Sequence, residues 1–405
     1  MKKLLENLRS AGKLGTIFLL IALTFVYAMF QGGFVSWFLF YSFIPFGLYS
    51  LFLSFYSLKD FEVRRTTSNA EYIAGERFEA TIFITRRIPF PLMYIIVEEL
   101  LPPQLQKCGQ SKQSKVILFP WFKRSFAFQY VFDAIPRGEH KFEGIRIKTG
   151  DLVGLVEKEQ VYPIPEQFLI YPQYVEMVYR QLENRFEQGT TASNVRLQRD
   201  TAIAIGVRDY KPGDRFSWID WKASARKNDI MTKEFEQQQS HDVVIFMDRT
   251  KTPQFEQIVT FTASLVRAIL RKGAQISFIS VGEEQSIYPL RSGDTQQQLI
   301  YNHLAKVQDN SVVPFSQIVE SESKKIYQPV TFMLVTNKVS FDIIHMVGSF
   351  SMRNADVMLF VVKEKATPLT WEETEVIETI RKHNIFVKVV YEGHFADVFF
   401  EVSKS

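Results

Sequence analysis

Charged residues are missing from two long runs near the start of the chain, residues 14–30 and 34–58. As a helix, each is long enough to cross a hydrocarbon core of about 30 Å. Only Gln31, Gly32 and Gly33 separate them, so the pattern predicts an N-terminal transmembrane helical hairpin with a tight, glycine-permitted turn. Neither run holds Asp, Glu, Lys, Arg or His, the groups that mark relays inside membranes, and the hairpin is therefore expected to act as an anchor. Lys2, Lys3, Arg9 and Lys13 precede the first run and Lys59, Arg64 and Arg65 follow the second, while the turn carries no cation. The positive-inside rule then places both termini in the cytoplasm, in a multi-pass protein of the cell (plasma) membrane. A cleaved signal peptide fits less well, because a second apolar run and a basic flank follow at once.

From about residue 59 to 172 the period changes to two. Phe78, Ala80, Ile82 and Ile84 alternate with more polar neighbours, and Phe126, Phe128, Tyr130 and Phe132 repeat the pattern. Ile145 and Ile147 alternate with Arg146 and Lys148 after a Pro136-Arg137-Gly138 turn. Several short strands separated by turn signals predict an antiparallel β-sandwich of Ig-like type.

Residues 173–240 read as a connecting region, with a polar stretch from Gly189 to Asn194. Beyond residue 241 continuous apolar runs alternate with helical periods, the pattern of buried strands joined by crossover helices. Strands are predicted at 243–247, 276–281, 287–290, 331–336, 357–362 and 386–391, with helices near 253–272, 341–353 and 371–383. The short link between 281 and 287 suits an antiparallel hairpin and not a crossover. A doubly wound α/β domain with one antiparallel edge strand is expected over 241–405.

The formal net charge of +4 comes from 48 basic against 44 acidic residues, too even a balance for a nucleic-acid footprint. Cys108 is the only cysteine, which excludes an internal disulfide and fits a reducing compartment.

The most informative stretch is Arg208-Asp209-Tyr210-Lys211-Pro212-Gly213-Asp214, followed by Trp218-Ile219-Asp220-Trp221-Lys222-Ala223-Ser224-Ala225-Arg226. Pro212 and Gly213 predict a turn, and residues 218–227 a short helix that places Trp218, Trp221, Lys222 and Ala225 on one face. The succession R-x-Y-x-x-G-D, I-D-W and S-A-R resembles the hallmark of the bacterial domain-of-unknown-function family fifty-eight. Ala74-Gly75-Glu76, Pro136-Arg137-Gly138, Asp151-Leu152-Val153-Gly154-Leu155 and Ile170-Tyr171-Pro172 look like further landmarks of that family, in order. The arginine usual just before I-D-W is absent, with Ser217 and Trp218 in its place and Arg215 nearby. By this resemblance Arg208, Tyr210, Gly213, Asp214, Asp220, Trp221, Lys222, Ala225 and Arg226 form a binding segment. The residues taken alone also fit ion pairs that simply fix the connection against its neighbours.

The resemblance further implies a von Willebrand factor A-like C-terminal domain, a family in which a D-x-S-x-S loop and later side chains hold Mg²⁺. The corresponding loop here is Asp248-Arg249-Thr250-Lys251-Thr252, with Thr295 as a further contributor. The next central loop offers Asn337 where a carboxylate is expected, and Arg249 and Lys251 add positive charge, so the metal set (Asp248, Thr250, Thr252, Thr295) is degenerate. No Walker A loop, H-E-x-x-H or G-x-S-x-G elbow occurs, and His140, His241, His303, His345, His383 and His394 have no ligand spacing. The expectation is a non-enzymatic, membrane-anchored cytoplasmic adaptor. The resemblance implies a MoxR-type AAA+ ATPase as protein partner, in chaperone-like assembly or envelope stress work. The alternative is a metal-dependent enzyme or ligand-binding protein using Asp248, Asp294 and Asp214.

Overall fold

The computed structural model describes residues 2–69, 71–107, 114–152, 154–180, 204–211, 214, 216–235, 242–327, 330–351, 356–365, 367–383 and 385–399. Cys108, the 189–194 stretch, Pro212, Gly213, Arg215 and His241 lie outside the described residues. The chain divides into two compact units, Met1–Gln173 with Tyr301–Val307, and Tyr174–Ile300 with Gln308–Ser405.

The first unit opens with helix α1 (Lys2–Gln31) and helix α2 (Phe34–Phe55). They pack as a pair: the Phe25 and Phe40 rings lie 5.4 Å apart, and Gly47 lets Ile21 approach so closely that a Cβ there would meet it at 3.0 Å. Among the described residues only α2 is both long and apolar enough to cross a membrane. Of the two runs expected to cross, the second forms such a helix. The apolar part of α1 is confined to Gly15–Gln31, because its first half carries the basic residues Lys2, Lys3, Arg9 and Lys13.

Two β-sheets follow. Strands β1 (Phe61–Thr67), β2 (Tyr72–Ile73), β3 (Phe78–Arg86) and β4 (Ile95–Glu99) precede a short helix α3 (Pro103–Lys107). Then come β5 (Lys115–Leu118), β6 (Ser125–Phe132), β7 (Gly138–Gly150) and β8 (Glu157–Tyr171). One sheet has the order β1-β3-β6 and the other β2-β8-β7-β4-β5. All pairings are antiparallel except that of β2 with β8. The alternation read from sequence is the burial alternation of β3, where Phe78, Ala80, Ile82 and Ile84 point inward. Phe78 stacks on Phe132 in its own sheet and on Phe142 of the other, 5.9 Å away in both cases, so the sheets share one core. A buried ion pair also joins them: Arg65 on β1 donates to Glu99 on β4, which accepts as well from the Tyr130 hydroxyl at 3.2 Å.

The base of the helical pair belongs to this same core. Ile17 of α1 and Leu53 of α2 are fully buried in it, together with Tyr56 and Leu58. The Ser50 hydroxyl donates to the Asp151 carboxylate at 2.5 Å, the Tyr49 hydroxyl accepts from the Met93 amide at 3.3 Å, and Lys158 donates to the carbonyls of Ser54 (2.6 Å) and Tyr56 (2.5 Å).

In the second unit β9 (Ala204–Asp209) and β10 (Met231–Phe235) form a two-stranded antiparallel ribbon, with helix α4 (Trp221–Lys227) between them in sequence. The remaining elements are β11 (Val243–Met247), α5 (Phe255–Arg271), β12 (Ile276–Val281), β13 (Gln285–Arg291), α6 (Asp294–Lys306, of which the part from Tyr301 onward falls with the first unit), α7 (Phe315–Ser323), β14 (Thr331–Thr336), α8 (Phe341–Ser351), β15 (Val357–Lys363), α9 (Trp371–Lys382) and β16 (Phe386–Tyr391). They build a six-stranded sheet of order β13-β12-β11-β14-β15-β16, parallel except for the antiparallel edge strand β13. Helices cover both faces: Phe360 of β15 meets Phe261 of α5 at 5.3 Å, while its neighbours Leu359 and Val361 join a core with Ile343 of α8 and Ile377 of α9. Every residue of the central strand β11 is buried, as a strand covered on two sides requires.

Candidate functional site

The sequence motif folds into the β9–α4–β10 segment, and its charged residues build that segment. The Arg208 guanidinium grips the Asp214 carboxylate bidentately, with both bonds at 2.8 Å, and the Lys211 amide donates to the same carboxylate at 3.0 Å. This closes the turn after β9. Gly213 lies outside the described residues. The Arg208 bonds hold the Asp214 carboxyl down to about 2 from an ordinary 3.8. Tyr210 lies beside the pair, its amide donating to the Ile230 carbonyl at 2.9 Å and its ring facing Phe216 at 6.5 Å.

Asp220 is the N-cap of α4: its carboxylate accepts from the amides of Lys222 (3.1 Å) and Ala223 (3.0 Å). The cap corrects the expected helix, which begins at Trp221 and not at Trp218. Phe216–Trp218 is a separate 3₁₀ turn, so Trp218 does not share a helical face with Trp221. Ser224, the serine of S-A-R, ties the helix to the ribbon by donating to the Asp220 carbonyl (2.7 Å) and accepting from the Met231 amide (2.9 Å). What the motif leaves outward is the other side of α4. Trp221 is 71% exposed, and Lys222, Ala225, Arg226 and Lys227 are exposed with it. A shallow groove lined by Val207, Asp220, Lys222, Ala223, Arg226 and Met231 runs alongside.

A second cluster sits at the carboxyl edge of the six-stranded sheet. Asp248 follows β11 directly and is buried, with one oxygen accepting from the Thr250 amide (2.8 Å) and the other from the Thr336 hydroxyl (2.6 Å). The Asn337 amide donates to the Thr252 hydroxyl at 2.5 Å and to the Gln254 side chain at 3.2 Å. Arg249 turns from this network to the Gln308 carbonyl (3.0 Å) and Asn310 (2.6 Å), filling the space beside Gly282 where a Cβ would meet its guanidinium carbon at 2.4 Å.

Thus Asp248, Thr250 and Thr252 come together, and Thr295 does not. It is exposed in the first turn of α6 and makes none of these bonds. The partners sequence reasoning missed are Gln254 and, as a donor to Asp248, Thr336; the signal for the latter is a hydroxyl at the end of β14, which parallel pairing with β11 brings level with Asp248. The arrangement offers one carboxylate whose two oxygens already accept bonds, with an amide at the second carboxylate position. Among the described residues no group of three or more His, Cys, Asp or Glu converges. This donor set does not fit a resident hard cation without rearrangement.

Residues 206–370 match the family model described as "Protein of unknown function DUF58". The "Uncharacterized protein YeaD" of Bacillus subtilis (strain 168) is 37% identical over 388 residues, covering 95% of this chain and 97% of that protein. Proximal thread matrix protein 1 from the mussel byssus aligns at TM-score 0.28 and 12% identity over 40% of this chain and 46% of its own. The sporulation control protein Spo0M of Bacillus subtilis aligns at TM-score 0.15 and 10% identity, over 27% of this chain and 49% of its own. Both structural likenesses are too slight to define a shared fold. With the family model lying on the β9–α4–β10 segment and most of the following sheet, and a relative matched over nearly its whole length, the chain belongs to the DUF58 family.

Proposed function

We propose that this protein is a membrane-anchored cytoplasmic adaptor, held by a two-helix hairpin with both termini in the cytoplasm, and that it acts through protein contacts without catalysis of its own. In this reading the paired sheets are an Ig-like sandwich and the six-stranded unit is a von Willebrand A-like domain. The observation that carries the reading is the division of labour in the motif. Arg208, Asp214, Asp220 and Ser224 bond to one another or to backbone, whereas Trp221, Lys222 and Arg226 stand exposed on a rigidly capped helix. An exposed tryptophan flanked by cations is the residue mix of a binding hot spot for an acidic partner surface. The partner implied by the family resemblance is a MoxR-type AAA+ ATPase, with chaperone-like assembly or envelope stress work as the setting.

The test is binding of that ATPase, with and without ATP, to the full chain in lipid nanodiscs. Trp221→Ala is expected to weaken binding by about 30-fold, the equivalent of a hot spot of about 2 kcal/mol. Binding that is undetectable, or unchanged by Trp221→Ala and Arg226→Ala, removes the surface from consideration. Millimolar Mg²⁺ that raises the melting temperature of the wild type but not of Asp248→Ala would instead favour the metal-dependent alternative.

A further inference from the structure

The strand register gathers three loops at one end of the paired sheets. Phe61 opposes Arg86, Thr85 opposes Ser125, Ile95 opposes both Leu118 and Thr149, and Gly150 opposes Glu157. The β3–β4, β5–β6 and β7–β8 loops therefore share the end where α2 enters. Each is fastened there: the Asp60 carboxylate accepts from the amides of Arg87 (3.0 Å) and Ile88 (2.9 Å), Asp151 accepts from Ser50, and the buried Arg86 guanidinium donates to the carbonyls of Phe90 (2.7 Å), Lys123 (2.8 Å) and Trp121.

Despite this bracing, the loops turn large apolar side chains outward. Ile88, Phe119, Trp121, Phe122 and Leu152 are each more than half exposed, and they lie on all three loops. Trp121 holds a left-handed backbone (φ 46°), rare for so bulky a residue, and is kept in it by paired bonds with Leu92 at 3.0 and 3.2 Å. Exposed Arg87, Lys123 and Arg124 stand among these side chains, with Glu62 3.7 Å from Arg87. A single exposed apolar residue needs no explanation, but five on adjoining loops do.

Length points to the occupant. The loops meet α2 from Tyr49 onward, which leaves Phe34 to Leu48, about 22 Å at 1.5 Å per residue, beyond them. That is shorter than a hydrocarbon core of about 30 Å. For the tip at Gly32 to approach the far side, the loop end must ride in the near interface.

We propose that this loop end is a lipid-docking surface: Ile88, Phe119, Trp121, Phe122 and Leu152 enter the headgroup region of the bilayer that holds the hairpin, and Arg87, Lys123 and Arg124 face anionic headgroup phosphates. Amphipathic rings and cations are what such an interface accommodates. The surface rests on the anchor reading, and one experiment separates them. The full chain is reconstituted in phosphatidylcholine–phosphatidylglycerol nanodiscs carrying tail-brominated lipid, once with Trp121 as its sole tryptophan and once with Trp37, the others being replaced by Phe. Both are expected to lose emission to the bromines, Trp121 most with bromine near the headgroup. Quenching of Trp37 alone overturns the docking surface and leaves the anchor standing; quenching of neither overturns both. In the Trp121 protein, Phe119→Asp with Phe122→Asp is expected to reduce the quenching while the circular dichroism spectrum is retained; unchanged quenching also overturns the surface.

Discussion

Asp214 ties the behaviour of the motif to pH. Its carboxyl is held near 2 in the fold against 3.8 outside it, so the unfolded segment takes up a proton first as pH falls. The contribution of the Arg208 pair is complete above the ordinary value and is lost as pH drops through the window from about 4 to 2. Hydrogen exchange of the β9–β10 amides should show protection falling in that window for the wild type. In Asp214→Asn the same protection should already be reduced at neutral pH. Glu99 presents the opposite setting, a fully buried carboxylate whose partner Arg65 is equally buried. Glu99→Gln leaves the buried Arg65 guanidinium with Glu166, 2.9 Å away, as its one remaining carboxylate partner among the described residues, and is expected to lower stability by about 3 kcal/mol in thermal or denaturant unfolding. A joint Arg65→Met, Glu99→Leu change should recover most of that. An ion pair within the motif was legible as one reading of its Arg and Asp, but the Arg65–Glu99 pair was not: Arg65 sits among flanking cations and reads as one of them, because the partner that buries it lies on another sheet.

At the scale of the element, α4 carries its folding contacts on one side and the proposed binding side chains on the other. Removing the cap by Asp220→Ala should cost about 1 kcal/mol, measured as a shift in unfolding midpoint. Trp221→Ala, on the exposed side, should change stability by less than about 0.5 kcal/mol while acting on partner binding. The period-two strands and continuous apolar strands stood out in sequence because burial on one face or on two leaves different patterns, as β3 and β11 demonstrate. The antiparallel edge β13 was legible from its short connection. Helix α6, in contrast, begins Asp-Thr-Gln-Gln-Gln and has no broad apolar stripe to betray it. The β9–β10 ribbon was hidden because its pairing spans the motif, and the cap at Asp220 was masked by a run of residues that reads as one longer helix.

For the whole molecule, the first unit is completed by its N-terminal helices. Leu53, Tyr56 and Leu58 are buried in the sheet core, and each is worth about 1.5–3 kcal/mol of burial. A fragment beginning at Asp60 loses all three, and the Phe61, Phe90 and Tyr162 rings lose their cover. Size-exclusion chromatography of that fragment should show aggregation, or a melting temperature well below that of the full chain in detergent. The sequence divided anchor from soluble domain at residue 58 because hydropathy changes there; the packing boundary lies earlier, near Tyr49, where apolar residues bury against protein as readily as against lipid.

This shared core has a consequence for how the protein is made. Residues 17–58 leave the ribosome before the strands do, yet the core that receives Leu53 and Tyr56 is complete only after β8, which brings Ile170 and Lys158, is synthesised. If the hairpin is the anchor proposed above, membrane insertion and domain folding are successive halves of one assembly step. In that reading the helices that anchor the chain also supply the last side chains its first core requires.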